Sequence, residues 1–502
     1  MSPPQLLGTG TSLKKGEFIA LDGEKRSFET SYDSWFANRR GAPRYGLAAL
    51  GNTGILAIGL TYYWIRADFN STDWDRPSAW DRLTLDAWRF DNNSNLFNHI
   101  FHPFGGANFY GIARINNLNV LESALYVSMS SFIWEFALEW RELVSINDLI
   151  FTPVSGIAVG EFLFQMGEYV TSTKPTKPWH HVGAYTFGIY RTLNGHVYST
   201  RERLELPRDS LGYSSAFWHR FHVDSEYIAL ANTGQVERLY GLSATAEIVA
   251  MPGFAQPGTF SKRFRSGNFT RGEFDIALGS DGGFDTDLFF SANLYGRYHQ
   301  NYTQANDFEE LQGHATLFAL NTAFRFSDHS FSDRKDQVAV VHAAGPSARY
   351  WYRNGDFRTQ FSIAGTLDFA AIRSLAFDEW RQDRDVSGVK SVLTEKSYQY
   401  HLGASTRANV ESQYRGLAFG LTAAAGVYSS LEGFDRKEEE VTSDVSGQES
   451  VVEYGSFVHL PIPKTPLTLR LSVDRFGRRS TIESLTVKRW DTRFTTGIGA
   501  IF

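Results

Sequence analysis

The hydrophobic pattern changes its period at about residue 182, and this change divides the chain into two parts. After it, apolar and polar positions alternate over stretches such as 284–294, 357–369 and 467–474. In the second of these stretches, Phe357, Phe361 and Ile363 fall on one face. Arg358 and Gln360 fall on the other. A period of two predicts β-strands with one apolar and one polar face, which occur both in soluble sandwiches and in transmembrane barrels.

The links between these strands alternate in length when they are read backward from the C-terminus. Short links are predicted at Pro461–Pro466, near Glu411–Gln413 and at Asn354-Gly355, which is a type I′ hairpin signal. Long links are predicted at 431–450 and 370–396. Short turns at one end and long loops at the other are typical of outer-membrane barrels. We therefore predict an all-β transmembrane barrel of about 12 antiparallel strands, within a range of about 10–14.

Before residue 182 the period is helical, most clearly in the segment 121–140. Small and polar residues form one stripe there, at Ala124, Ser128, Ser131, Glu135 and Glu139. Leu125, Phe132 and Phe136 lie off the stripe, toward an apolar environment. Burying a carboxylate costs several kcal/mol unless it is paired or protonated. The two glutamates therefore mark this helix as a candidate site.

A second helix is predicted to begin at Thr152-Pro153, with Thr as N-cap and Pro at the first helical position. It continues through Gly156, Gly160 and Glu161, and its two glycines allow another backbone to approach closely. An earlier stretch, Leu47–Ile65, has no charged residue and is long enough to cross a membrane. Its glycines and polar residues favour a buried segment inside the protein instead.

These patterns predict three regions, at 1–46, 47–180 and 181–502. The first is a polar periplasmic segment, the second is apolar and mostly helical, and the third is the barrel. A barrel of about 12 strands has room for a helix or two. We therefore predict that the helical region plugs the lumen, with its polar stripe toward the lumen wall.

Composition and charge agree with a membrane barrel. Aromatic residues make up 15% of the chain, and the mean hydropathy of −0.29 is too polar for a polytopic helical membrane protein. The formal net charge of −6 gives no support for nucleic-acid binding. The chain has no cysteine, which excludes disulfides and thiolate metal sites and suits an oxidising periplasm. The N-terminus lacks the features of a signal peptide, so we expect a mature form located in a Gram-negative outer membrane.

The last residues form the strongest single signal. Thr495, Gly497, Ala500 and the terminal Phe502 lie at alternating or near-alternating positions. This pattern resembles the C-terminal signal of barrels that the outer-membrane assembly machinery inserts. The resemblance implies that this machinery is a partner.

One segment, 90–170, carries a series of polar and aromatic motifs. In order they are Asn98-His99, His102-Pro103-Phe104, Tyr110, Ala113-Arg114, Ser131, Trp134-Glu135, Glu139, Asn147-Asp148-Leu149-Ile150, Thr152-Pro153, Gly156 and Gly160-Glu161. The series resembles the DUF3943 proteins, an uncharacterised group from Gram-negative bacteria. The family has no established activity, so the resemblance implies location and architecture rather than a mechanism.

Seven residues form the candidate functional cluster: His99, His102, Arg114, Glu135, Glu139, Asp148 and Glu161. Glu135 and Glu139 are one turn apart, which suits acid–base work or a shared cation. The structural alternative, which we prefer, is that they hydrogen-bond Arg114 or Arg141. The histidines and carboxylates lack the spacing of an HExxH site, so no metal or cofactor is predicted. Ser131 lacks the GxSxG context of a nucleophile.

Three functional classes remain open. The barrel could bind or move a lipid-like or small amphiphilic molecule, which is our first choice. It could instead be a structural partner in an envelope complex, with the helices serving stability. It could also be an outer-membrane lipid hydrolase or acyltransferase that uses the glutamates and histidines of the cluster. An open diffusion porin is not expected, because the apolar helices must be buried somewhere.

Overall fold

The computed structural model describes residues 17–19, 25–27, 41–66, 77–91, 93, 96–198, 208–214, 217–232, 235–279, 282–305, 310–330, 335–382, 384, 391–431 and 445–502. Its helices are α1 (Tyr45–Arg66), α2 (Ala79–Leu83), α3 (His102–Ile115), α4 (Val120–Ile133), α5 (Ile146–Val170), α6 (Pro178–Thr186), α7 (Ile189–Tyr198), α8 (Phe377–Gln382) and α9 (Val392–Lys396). One π-helical turn, Phe97–Phe101, precedes α3, and another, Trp134–Leu138, follows α4.

The strands follow the alternating pattern. They are β1 (Glu17–Ile19), β2 (Lys25–Ser27), β3 (Trp88–Arg89), β4 (Val144–Ser145), β5 (Trp218–Asn232), β6 (Gln235–Val249), β7 (Gly258–Phe264), β8 (Phe269–Gly279), β9 (Phe284–Ala305), β10 (Glu310–Ser330), β11 (Lys335–Asn354), β12 (Phe357–Arg373), β13 (Tyr398–Tyr414), β14 (Leu417–Ser430), β15 (Gly447–Pro461), β16 (Leu467–Ile482) and β17 (Leu485–Ile501).

Within the described residues, twelve of these strands close into one antiparallel barrel. The order around the wall is β5, β6, β8, β9 and then β10 to β17, and β17 pairs with β5 to close the ring. β7 and β8 follow one another along β9 and are interrupted at residues 265–268. An even number of antiparallel strands is the architecture of outer-membrane barrels. The predicted fold class and strand number are confirmed.

The longest connections lie at one end of the barrel. They join β12 to β13 and β14 to β15, whereas the other end has tight turns and carries the C-terminus. We call these the loop end and the C-terminal end. At the C-terminal end Gly355 and Gly416 have φ values of +58° and +85°, which a glycine adopts readily. A hairpin forms where one was predicted, but Asn354 pairs with Phe357, so the turn residues are Gly355 and Asp356 rather than Asn354 and Gly355. The usual orientation of such barrels places this end in the periplasm.

The polar faces of the strands point into the lumen and form ion pairs across it. Arg325 on β10 pairs with Glu453 on β15 at 2.5 Å. Arg220 on β5 pairs with Glu411 on β13 at 2.7 Å. These strands are far apart around the wall, so their side chains can meet only through the interior. Further cross-lumen pairs are Arg349–Glu247, Arg407–Glu273 and Arg478–Asp336. The lumen retains a cavity of about 220 Å³ that is lined by most of these side chains.

The helices lie against the outside of the barrel. Phe324 and Phe326 flank the lumen-facing Arg325, so they point outward, and they belong to the same apolar cluster as Phe162 of α5. Phe162 also contacts the outward-facing Phe274 of β8, with ring centroids 6.2 Å apart. The prediction that the helices plug the lumen is therefore wrong. Paired charged side chains cross the lumen, whereas the outer faces of the strands are apolar and match apolar helices.

Connections of the barrel itself cover the two ends of the lumen. At the C-terminal end, residues 250–257 fold inward, and Phe254 packs on Trp218 and Trp351 with ring centroids 5.1 and 5.6 Å apart. At the loop end, Trp380 of α8 is buried in a cluster with Ile482. These contacts follow from the apolar side chains that both connections carry.

The second predicted helix begins earlier than expected. α5 starts at Ile146, where the Ser145 hydroxyl accepts a hydrogen bond from the Asp148 backbone N–H at 3.3 Å. Pro153 then lies inside the helix and removes one helical hydrogen bond, which the surrounding packing offsets. Ser145 therefore provides the N-cap that was predicted at Thr152. Within the described residues, α5 is the one helix long and apolar enough to cross a membrane, and it is mostly buried.

The predicted segment 47–65 forms most of α1, but it is not buried as expected. Ala48, Asn52 and Leu56 form the buried stripe, and most other side chains of the helix are exposed. The uncharged stretch therefore covers one side of the bundle. The helical region also extends further than residue 180, since α7 ends at Tyr198 and the barrel begins at Trp218.

Candidate functional site

Glycines bring α3 and α5 into close contact. The two helices run in the same direction, and a Cβ added at Gly156 would lie 2.8 Å from the Gly106 Cα. A Cβ added at Gly160 would lie 3.2 Å from the Ala107 Cα. Such distances leave no space for a larger side chain, so the predicted close approach at these glycines is confirmed. This contact places α3 and α5 side by side against the wall.

A buried ion pair joins α3 to α5 near the C-terminal end of α3. Arg114 Nε donates to Glu161 Oε2 at 2.8 Å, and Nη2 donates to Oε1 at 3.0 Å. The Tyr110 hydroxyl and the Gln165 amide also donate to the carboxylate, both at 2.6 Å. The side chains of Arg114 and Glu161 are 1% and 0% exposed. Every carboxylate oxygen therefore has a donor, which is what a buried charge requires.

The same ion pair is attached to the barrel wall where β7 and β8 are interrupted. The Ser266 carbonyl accepts hydrogen bonds from Arg114 Nη2 at 3.3 Å and from Gln165 Nε2 at 3.0 Å. Gly267 has a φ of +60° and lies directly against Glu161, where a Cβ would collide with the carboxylate. The break in the strand thus exposes a backbone acceptor to the helices. This arrangement fixes the helices to the wall and leaves no access for a substrate.

A second polar group lies at the loop end, where the helices meet β12 and β13. His102 Nε2 lies 3.7 Å from Asp148 Oδ1, and His102 Nδ1 lies 3.4 Å from the Thr152 hydroxyl. The ring of Phe97 meets the His102 ring edge-on, with ring centroids 5.2 Å apart, and Phe97 and Phe101 are themselves exposed. An imidazole beside exposed aromatic rings can donate or accept a hydrogen bond.

His99 and Asn98 connect this group to the outer wall. His99 is fully buried, with its ring 4.8 Å from Phe151 and 5.2 Å from Tyr398. The Asn98 amide donates to the Tyr400 hydroxyl at 3.1 Å. We call the boundary between residues 97–102 and the outward face of β13 the seam. Two residues beyond Tyr400, the outward-facing Leu402 is 53% exposed, so apolar wall continues from the seam.

Glu135 and Glu139 brace the connection between α4 and α5. The Ser145 backbone N–H donates to Glu135 Oε2 at 3.1 Å. Arg82 donates to the backbone carbonyls of Glu135 and Glu139, at 2.9 and 3.1 Å. The Glu135 side chain thus holds the residue that precedes α5, and Arg82 holds the turn that follows α4.

The structure thus divides the seven predicted residues into two groups. Arg114 pairs with Glu161. The interpretation from the sequence, in which Arg114 pairs with Glu135 or Glu139, is therefore wrong. The remaining five, His99, His102, Glu135, Glu139 and Asp148, lie toward the loop end. Within the residues that the structure describes, no three His, Asp or Glu side chains are arranged to hold a metal ion.

Sequence reasoning missed several members of these groups. Arg82 went unnoticed, because nothing in the sequence separates it from the neighbouring Arg76 and Arg89, and it is buried. Asp91 was also missed, and its backbone N–H donates to the Asn147 side chain at 2.8 Å. Nothing in the sequence points to Ser266, because its carbonyl is available only where the strand is interrupted.

The four residues of the predicted assembly signal lie on or after β17. Thr495 pairs with Ile228 of β5, and Gly497 pairs with Glu226. The Phe502 backbone exchanges hydrogen bonds with Phe221, at 2.8 and 3.1 Å. The signal therefore forms part of the closing strand pair, and recognition by the assembly machinery stays a prediction.

Comparison with known proteins finds a family match and distant structural likenesses. Among solved structures, Pseudomonas aeruginosa OccK2 (OpdF) in complex with glucuronate is 10% identical, covers 57% of this chain and 98% of its own, and has a TM-score of 0.19. A Pseudomonas aeruginosa FadL homologue is 7% identical, and the match covers 58% of this chain and 91% of the homologue, with a TM-score of 0.20. The translocator domain of the autotransporter NalP from Neisseria meningitidis is 12% identical, with coverages of 64% and 97% and a TM-score of 0.17.

No curated protein sequence matches the chain. Residues 87–188 match the model of the domain of unknown function DUF3943, which confirms the resemblance found in the sequence. The match begins just before β3 and ends in the connection between α6 and α7, so it covers both polar groups of the helical bundle.

Proposed function

We propose that the protein is an integral barrel of a Gram-negative outer membrane that binds a lipid-like or small amphiphilic molecule at the seam. The observation that supports this most strongly is the position of His102. It lies on the outside of the barrel, next to Asp148 and Thr152. Its ring contacts the exposed ring of Phe97, which in turn packs on the exposed Phe101. A polar group beside exposed aromatic rings suits a molecule with one polar and one apolar part.

The lumen is a less favourable site for the same ligand. Its side chains are largely paired with one another, as in Arg325–Glu453, so an apolar molecule would have to separate these pairs. Residues 250–257 and α8 also cover its two ends. The apolar surface is instead on the outer wall, where lipid is present at high concentration.

A photoactivatable lipid tests the proposal. The purified protein is reconstituted in vesicles with a phospholipid that carries a diazirine near its head group, and cross-linked peptides are identified by mass spectrometry. We expect cross-links concentrated on residues 97–104 relative to outward-facing wall residues such as Val473 and Ile498. Equal labelling around the whole barrel would contradict a specific site.

Two variants separate binding from its alternatives. His102→Leu removes one hydrogen-bonding group, so seam labelling should fall by about two- to tenfold. Glu135→Gln keeps the shape of the bracing carboxyl and should leave labelling nearly unchanged. If envelope lipids were altered alike in a deletion strain and a Glu135→Gln strain with normal barrel levels, the lipid-hydrolase or acyltransferase function would replace this one. Capture of an envelope protein with no lipid at the seam would favour the structural role.

A further inference from the structure

The helical bundle (α1–α7) extends along the outer wall over much of the height of the barrel. Near the C-terminal end, Tyr169 of α5 packs on Phe221 of β5 with ring centroids 5.7 Å apart. Toward the loop end, Phe151 of the same helix packs on Phe369 of β12 at 5.4 Å. A helix of this length covers about 37 Å at about 1.5 Å per residue. That exceeds the thickness of the bilayer core, which is about 30 Å.

The rest of the outer wall carries the apolar surface of a transmembrane barrel. Outward-facing side chains exposed there include Val223, Leu242, Ile276, Leu421, Val452, Leu471, Val473, Phe494 and Ile498. A bilayer must surround this wall on all sides, because exposed apolar surface and strand backbones are otherwise left in water. Where the helices cover the wall, lipid cannot reach the strands. The bilayer must therefore meet the outer face of the helices.

Along α1 and α4, that outer face is itself apolar and uncharged. Ile58 of α1 and Leu125 and Met129 of α4 are 72%, 58% and 56% exposed. Neither 46–65 nor 123–134 contains a charged residue. A water-facing helix would carry polar residues on such a face. The charged groups of the bundle interior are instead paired, as Arg114 and Glu161 are, which is how charges are accommodated within a membrane.

Aromatic and cationic residues collect at one end of this face. Trp64, Trp80 and Trp140 are all exposed. The Arg141 guanidinium lies 4.0 Å from the Trp64 ring centroid. Tryptophan and arginine at the end of an apolar surface are typical of the membrane–water interface. They mark where the helices leave the hydrocarbon region.

We propose that the helical bundle is embedded in the lipid bilayer beside the barrel, so that its outer face contacts acyl chains. The partner of this surface is the bilayer itself. The strands of the barrel then span the outer membrane. Along part of the wall, the helices take the place of the lipid that would otherwise contact the strands. This inference does not depend on the ligand proposed for the seam, because it concerns the outer face of α1 and α4, and neither helix is part of the seam.

The absence of cysteine in the chain makes a direct test practical. Single-cysteine variants Ile58→Cys, Leu125→Cys and Met129→Cys are spin-labelled and reconstituted in vesicles. Val473→Cys on the outer barrel wall provides the lipid-facing control, and Asp356→Cys in a turn provides the aqueous control. Collisions of each label with oxygen and with a water-soluble nickel chelate are measured by power-saturation spectroscopy. Heat-modifiable migration on gels confirms that each variant is folded.

We expect the three helical labels to match Val473→Cys, with frequent oxygen collisions and loss of nickel collisions. Nickel accessibility like that of Asp356→Cys would overturn the proposal, because it would put the bundle in water. Strong dipolar broadening between labels on two chains would also overturn it, because a second copy would then cover the face.

Discussion

The Arg114–Glu161 ion pair should lock the helical bundle to the barrel, and its removal in steps tests this role. Glu161→Leu would leave Arg114 buried, and among the described residues its remaining acceptors would be the carbonyls of Leu118 and Ser266, at 2.8 and 3.3 Å. Removing one partner of a buried pair typically costs about 3–5 kcal/mol. Local opening of the bundle should therefore become about 10²- to 10⁴-fold more frequent, since about 1.4 kcal/mol is a factor of ten.

Replacing both partners should cost much less. In Arg114→Met with Glu161→Leu, no charge remains buried, and apolar residues of similar volume are often neutral in such sites. Arg114→Met alone should be intermediate, because Glu161 keeps the Tyr110 and Gln165 donors. The three variants form a double-mutant cycle, whose coupling energy isolates the pair.

Hydrogen exchange of the amides of α3 and α5 is the suitable assay, because it reports local opening while the barrel stays folded. Ser128→Ala on the exposed side of α4 serves as the control and should change nothing. The locking role would be refuted if Glu161→Leu left protection of both helices unchanged. Equal losses in the single and double variants would show that packing volume, and not charge, was the cause.

Further predictions concern the helix contact, the lumen and the closing strand. Gly156→Leu should separate α3 from α5 and increase proteolysis of the bundle, whereas Gly54→Leu, where a Cβ meets nothing within 4 Å, should be tolerated; equal effects would contradict the close-packing argument. Phe254→Gly should loosen the inward-folded connection and raise single-channel conductance in planar bilayers above that of the unaltered protein; unchanged conductance would show that the ion pairs alone block the lumen. Deleting Phe502 should lower the amount of barrel in the membrane, because its backbone bonds to Phe221 and its predicted signal are lost; normal levels of heat-modifiable protein would remove the signal argument.

Some features of the site were predictable because they depend on local sequence. Gly156 and Gly160 were recognised as a place of close helix contact, since only a missing side chain allows it. The partner of Arg114 was not predictable, because Glu161 lies 47 residues away and several acidic residues were equally possible. The start of α5 was also missed, since Ser145 and Thr152 both suit an N-cap and tertiary packing tolerates Pro153 inside the helix.

The sequence by itself determined that this protein is a membrane barrel with a helical region. Alternation sets an apolar and a polar face on every strand, and that pattern survives any arrangement of the strands. It could not decide which apolar partner each outer face meets. Phe324 and Phe326, packed with the helical bundle, follow the same alternation as Val473 and Phe494, which are exposed. Lipid and an apolar helix are equivalent partners for such a face, so only the tertiary structure, with ion pairs crossing the lumen, placed the helices outside the barrel.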